Sequence, residues 1–251
     1  MRRPPHNGVP SGVRDTVAGM CGRFAVDSEV NDLIEEFVAV GGNIQDWRPA
    51  YNIRPTDPVP VIIESVKTGE LVRRLELARW SLVPSWSKQL KLTVPTFNAR
   101  SETAAEKSMF KASVVSKRAL IPASGYYEWH TEGMTKTPYF IHPADGQMAF
   151  AGLYSWWKNA ADPENPWVLT ATILTMDAVP HLAPIHDRNP VPLAPEFWAD
   201  WLNPGVVGDQ AFVDAAVAAS VPVAQSLEYH RVGPVTGDGR ELTLPLADER
   251  G

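Results

Sequence analysis

The sequence predicts a single α+β domain. Segments with strand and helix patterns do not alternate regularly along the chain, which sets it apart from a doubly wound parallel sheet. No linker-like stretch divides the middle of its 251 residues, a length sufficient for one domain with a sizeable core. The 23 prolines interrupt helices and favour short strands and loops.

Taken in order, Asp27 is placed to cap a helix over Ser28 to Val40. Val30, Leu33, Ile34, Phe37 and Val38 repeat at helical spacing there, and Gly41-Gly42 ends it. Val59–Val66 and Leu71–Trp80 read as two strands joined by Lys67-Thr68-Gly69-Glu70, a hairpin. Ser101 is placed to cap a helix running to about Phe110. Ala119–Ala123, Tyr126–His130, Pro138–Ile141, Met148–Tyr154 and Trp167–Thr175 follow as strands. Pro195–Leu202 and Asp209–Ala219 read as helices, Ser226–Val232 as a late strand, and Leu242-Thr243-Leu244 as a candidate edge strand. Residues 1–19 have no apolar period and lack the apolar centre of a secretory signal. They are expected to be disordered or removed. The folded domain is expected over residues 20–235, with a loose polar tail over 236–251.

Net charge is −6, and the chain without residues 1–19 carries 20 basic against 28 acidic residues. That argues against gripping duplex DNA through bulk charge, though not against a few arginines in one cleft. No apolar run approaches a membrane-spanning length, so no membrane partner is expected. The one cysteine, Cys21, excludes an internal disulfide and a thiolate zinc site. Without a signal, and with an unpaired thiol, a cytoplasmic, reducing location is expected.

A lone cysteine is most often a small buried hydrophobe, but this one follows Met20, a candidate alternative start. His181 and His186 lie among Pro180, Pro184 and Pro190, which do not suit a helical metal pair. No phosphate loop or nucleophile elbow is present, and no metal or cofactor is expected. A carboxylate at Glu128, between Tyr127 and Trp129 on a strand, is expected to be shielded from water. That setting suits proton transfer near neutral pH, and equally suits a buried acid paired with arginine.

Eight segments in order carry a resemblance. They are Met20-Cys21-Gly22-Arg23-Phe24, Tyr51-Asn52-Ile53-Arg54-Pro55, Trp80-Ser81-Leu82-Val83-Pro84-Ser85-Trp86, Asn98-Ala99-Arg100-Ser101-Glu102-Thr103, Ile121 through Trp129, Phe150-Ala151-Gly152-Leu153, Ile173-Leu174-Thr175, and His186-Asp187-Arg188-Asn189-Pro190. Together they resemble the SRAP family, the SOS response-associated peptidases, also described as abasic-site processing proteins. Ser81, Ala119 and Asn189 depart from the family pattern without removing a reactive group.

The resemblance implies a twisted, partly closed, mostly antiparallel sheet with flanking helices, a pseudo-barrel. It implies that Cys21 is a covalent nucleophile and that Asn98, Glu128 and His186 line the reaction site. Arg23, Arg100 and Arg188 would contact the DNA backbone, with Thr175 a weaker candidate, and Asn52, Pro55 and Trp86 would lie beside the strand. The implied partner is single-stranded DNA containing an abasic site, met by a monomer acting in DNA repair. An N-terminal cysteine can form an imine with the open sugar aldehyde through its α-amine, then close a five-membered thiazolidine through sulfur, so Cys21 must be first in the mature chain. Two other readings stay open: a self-processing thiol peptidase that exposes Cys21, and a noncatalytic reader of single-stranded DNA.

Overall fold

A computed structural model describes residues 22–67, 69–162, 164 and 166–246. Cys21 and the extension before it lie outside the described residues. In chain order the elements are β1 (Phe24–Val26), α1 (Val30–Glu36), β2 (Val40–Gly41), β3 (Ala50–Ile53), β4 (Pro58–Lys67), β5 (Glu70–Trp80), β6 (Asn98–Arg100), α2 (Lys111–Ser116), β7 (Arg118–Ala123), β8 (Gly125–Glu132), β9 (Thr135–His142), β10 (Met148–Trp157), β11 (Val168–Asp177), β12 (Arg188–Pro190), β13 (Pro192–Leu193), α3 (Pro195–Leu202), α4 (Gln210–Ser226) and β14 (Glu228–Arg231).

Five strands make a ring. β4 pairs with β5, β7 with β4, β10 with β7, and β11 with β10, all antiparallel. A short parallel contact between β11 and β5, at Thr170↔Arg79 and Ala171↔Trp80, closes the circle. The sheet is therefore partly closed, as the resemblance implied. Its strands are rich in Val, Ile, Leu and Ala, and both faces of β7 and β10 are largely buried because the ring is filled inside and covered outside. A second sheet, ordered β14-β9-β8-β1-β3, packs Phe24 and Tyr126 into the same core. Its other face, with Ala25, Tyr127 and Phe140, is covered by Val232, Val235 and Leu242. The two sheets share one main core and form a single domain.

The β4–β5 hairpin forms as expected; it pairs Lys67 opposite Glu70, with Gly69 at φ +88 in the tight turn. Other expectations are corrected. The first helix covers only Val30–Glu36, since Val38 takes a left-handed conformation and Val40–Gly41 pairs with β5. Asp27 does not cap it; its carboxylate accepts instead from the Ser124 hydroxyl at 2.5 Å. The helix expected over 101–110 is a single 3-10 turn at Ser101–Thr103, and the helix comes later, as α2. α4 is capped by Asp209, whose side chain accepts from the Phe212 N–H at 2.9 Å, and it runs through Pro222 to Ser226. Leu242–Leu244 adds no strand; Arg240–Thr243 is a 3-10 turn whose Leu242 is buried. The polar segment expected to be loose is held as far as described, with the Asp238 carboxylate accepting from the N–H groups of Tyr51 and Asn52. Among the described residues no helix is long and apolar enough to cross a membrane.

Candidate functional site

The chain enters the fold beside Glu128. β1 pairs with β8 through Phe24↔Tyr126 and Ala25↔Gly125, and the Tyr127 N–H donates to the Arg23 carbonyl at 2.9 Å. Continued one step, this antiparallel register sets Gly22, the residue after Cys21, across from Glu128. Glu128 is 1 % exposed, so the expected shielding from water is present, although Tyr127 and Trp129 belong to the cluster on the opposite face. Strand alternation places Tyr126, Glu128 and His130 on one face of β8 and Tyr127 and Trp129 on the other.

The loop that carries His186 touches His130 on that face. The Nδ1 of His130 contacts the Pro184 carbonyl at 2.5 Å. A carbonyl only accepts, so His130 Nδ1 carries a proton. Two residues on, His186 Nδ1 accepts from the Arg188 backbone N–H at 3.0 Å. Asp187 Oδ1 lies 3.0 Å from the same nitrogen. The backbone N–H of Arg188 can only donate, so in that contact Nδ1 accepts. Nε2 is then the ring edge left for a ligand.

The C-terminal end of β11 gathers a second group. β6 runs parallel to it, with Asn98 opposite Ile173 and Arg100 opposite Thr175. β12 flanks its other edge, with Pro190 opposite Thr175 and Arg188 opposite Asp177. Asn98 and Thr175 are buried, and Arg100 is exposed. Arg188 is buried and engaged internally. Its Nη1 and Nη2 grip Glu102 as a fork at 2.7 and 2.9 Å, Nη1 also meets Asp177, and Nη2 donates to the Thr175 carbonyl at 2.8 Å. The loop from β11 to β12 carries His186 and touches β8 through the Pro184 carbonyl.

A third group lies along β3. Arg23 Nη1 donates to Asn52 Oδ1 at 2.9 Å, and Asn52 Nδ2 donates to the Gly237 carbonyl at 2.6 Å. Burial pushes the Arg23 pKa down and repulsion from Arg54 pushes it further, against the opposing pull of Asp57. Two guanidiniums held close together suit an anionic ligand. A cavity of about 500 Å³ adjoins Arg23 and includes Trp129, Lys136 and Arg231 in its lining. Pro55 sits in the turn that Asp57 closes, its carboxylate accepting from the Arg54 N–H at 2.9 Å. Trp86 is exposed on the loop leading into Asn98. That loop is pinned where Trp157 Nε1 donates to the Ser87 carbonyl at 2.8 Å.

Asn98 is thus carried by β6, Glu128 by β8 and His186 by the β11–β12 loop, and Trp86 is exposed on its own loop. Sequence reasoning missed His130, which anchors the His186 loop, and Gly237 and Asp238, which fix Asn52. His130 was within reach, being two residues from Glu128 on an expected strand; nothing in the local pattern marks Asp238.

With this geometry, similarity to known proteins is informative. The family model described as SOS response associated peptidase (SRAP) matches residues 20–238. The abasic site processing protein YoqW of Bacillus subtilis (strain 168) is 39% identical over 193 residues, covering 74% of this chain and 81% of that protein. The abasic site processing protein YedK of Escherichia coli (strain K12) is 33% identical over 239 residues, covering 90% of this chain and 100% of its own. A crystal structure of a protein from Bacteroides thetaiotaomicron matches with a TM-score of 0.77 at 20% identity, covering 90% of this chain and 100% of that one, a likeness of fold.

Proposed function

The chain belongs to the SOS response associated peptidase (SRAP) family, and from that premise we propose that it processes abasic sites in single-stranded DNA by linking Cys21 covalently to the exposed sugar. The names of its relatives support abasic-site processing. The observation that carries the chemical reading is the buried Glu128 set opposite the segment that leaves Cys21.

The proposed reaction begins with a mature chain whose first residue is Cys21, after removal of residues 1–20. The α-amine attacks the aldehyde of the open sugar and water leaves, giving an imine; an unperturbed α-amine pKa of roughly 8 keeps a useful neutral fraction. The Cys21 sulfur adds to the same carbon, its proton passes to nitrogen, and a thiazolidine closes. Glu128 moves protons during ring opening and imine formation. His186 donates from Nε2 to the sugar oxygen, and Asn98 orients the amine. Arg23 and Arg100 hold phosphates, with Arg188 and Thr175 shaping the wall behind them. Asn52, Pro55 and Trp86 lie along the strand.

Denaturing electrophoresis with intact mass tests this on the chain beginning at Cys21, mixed with an oligonucleotide carrying one abasic site. A heat-stable adduct is expected that Cys21→Ser abolishes and Glu128→Gln slows by about 10²-fold or more. A heat-stable adduct with Cys21→Ser would sink the thiazolidine, and an unchanged rate with Glu128→Gln would reduce Glu128 to a structural acid.

A further inference from the structure

The hairpin of β10 and β11 ends, away from the reaction site, in an aromatic groove. Trp156 pairs opposite Leu169, and strand alternation puts Lys158 and Trp167 on the same face. Trp167 is 60 % exposed, and Lys158 Nζ lies 6.0 Å from its ring centroid. Beneath them the barrel seam opens, because the β5–β11 pairing stops at Thr170. The gap is a cavity of about 330 Å³ that includes Thr56, Pro58 and Arg79 in its lining, and about 450 Å³ of open space lies over the two indoles.

The charges in this groove favour an anion. Half-buried Arg79 donates to the Ser81 carbonyl at 3.2 Å and has no carboxylate within ion-pair distance among the described residues. Glu76, the acid among the described residues that line the cavity, is already paired with Arg74 at 2.9 Å and accepts from the Asn43 N–H at 3.0 Å. An exposed indole and a half-buried one beside a guanidinium and an ammonium suit a chain of alternating flat faces and phosphates, since bases stack on tryptophan whatever their identity. The groove is also continuous with the expected strand path, for Thr56 in its wall follows Pro55 directly. Along β11 the register of Asn98, at Ile173, is six residues from Trp167, about 20 Å. About six nucleotides at a stacked spacing of roughly 3.4 Å span that distance.

We propose that this groove is a second nucleobase-stacking subsite, in which Trp156 and Trp167 take bases of the strand flanking the lesion and Arg79 and Lys158 take its phosphates. The inference rests on the single-stranded DNA reading above.

The test is fluorescence anisotropy with the chain beginning at Cys21 and oligonucleotides carrying a stable, aldehyde-free abasic analogue. One oligonucleotide has two-nucleotide flanks. Others extend the 5′ or the 3′ flank by eight nucleotides, either with bases or as base-free spacers. For one polarity, removing the flank bases is expected to weaken wild-type binding roughly tenfold. The Trp156→Ala/Trp167→Ala double variant should lose that difference while binding the short oligonucleotide as wild type does. Trp167→Ala alone, which removes only an exposed ring, should show part of the loss and guards against misfolding. A flank-base effect that persists in the variants, or is absent from wild type for both polarities while the short oligonucleotide still binds, overturns the subsite. No binding of the short oligonucleotide would instead bring down the DNA reading beneath it. Sedimentation of a wild-type dimer that Trp167→Ala dissociates would assign the groove to a second copy of the chain and overturn the proposal.

Discussion

The guanidinium of Arg188 is 8 % exposed, yet its two acids lie far closer to water, Glu102 at 47 % and Asp177 at 89 %. A buried cation is therefore neutralised from the surface inward. Partial burial alone would raise the Glu102 pKa. The Arg188 hydrogen bonds, a backbone hydrogen bond and the charges of Arg188 and Arg100 outweigh it, and the carboxyl stays below its usual range. A depressed folded-state pKa contributes stability above the unfolded-state value, and that stability is lost as pH falls through the folded one. Wild type is thus expected to melt above Glu102→Gln at pH 7, by a margin equivalent to about 0.2–1 kcal/mol because solvent screens a half-exposed acid. The margin should shrink between about pH 5 and pH 3. Melting temperatures across that range check it; a margin that ignores pH would mean the shape of Glu102, not its charge, supports Arg188. This pairing could not be read from the sequence, since Glu102 lies 86 positions from Arg188. The burial of Glu128 was expected from its aromatic neighbours, but Tyr127 and Trp129 face the other side of β8, and what covers Glu128 comes from elements distant in sequence.

Among the elements, β8 carries Glu128 of the proposed reaction site, and its first residue fixes how β8 packs. A Cβ on Gly125 would lie 2.3 Å from Phe140 Cζ and 2.8 Å from the Ile141 carbonyl oxygen. The Phe140 ring is buried against Tyr127 and His142, and the carbonyl belongs to the β9 backbone, so neither yields without moving a strand. Gly125→Ala is expected to cost about 1–3 kcal/mol in urea unfolding. It should also slow adduct formation, because a shifted β8 moves Glu128 away from the segment leading out of Cys21. An unfolding midpoint equal to wild type would show that the sheet absorbs the methyl group and that close approach at Gly125 is not what fixes the register. Elements of this kind divide by how local their causes are. The β4–β5 hairpin was legible because its turn and both alternating strands are contiguous. β6 was not, since three residues become a strand only by pairing with β11, and α2 was not, since its six residues carry too little apolar period to mark a helix.

At the scale of the molecule, the resemblance implied a partly closed sheet, but no residue pattern marks where the ring closes. The β5–β11 contact joins positions 91 residues apart through two pairs. The attachment of the helices to that ring is equally hidden, and it centres on Arg118. This β7 residue is 1 % exposed. It donates to the carbonyls of Val114 and Val115 at the end of α2, Trp201 at the end of α3, and Asn203 and Val206 beyond, at 2.6–2.9 Å. Its guanidinium also lies 5.0 Å from the centroid of the Phe212 ring on α4. The ends of two helices, where carbonyls lack intrahelical donors and the dipole is negative, thus take the place of a carboxylate. Arg118→Met keeps much of the volume and removes five hydrogen bonds, so at roughly 1 kcal/mol each a loss of about 3–5 kcal/mol is expected. Arg118→Lys, with three donors and no planar fork, should fall between the two. Urea unfolding orders the three proteins. The adduct rate per folded molecule should stay unchanged, because none of these contacts involves a residue of the proposed reaction site. If Arg118→Met were as stable as wild type, the cost of stripping water from the guanidinium would cancel its bonds to the helix ends. The helices would then be held on the barrel by apolar packing alone.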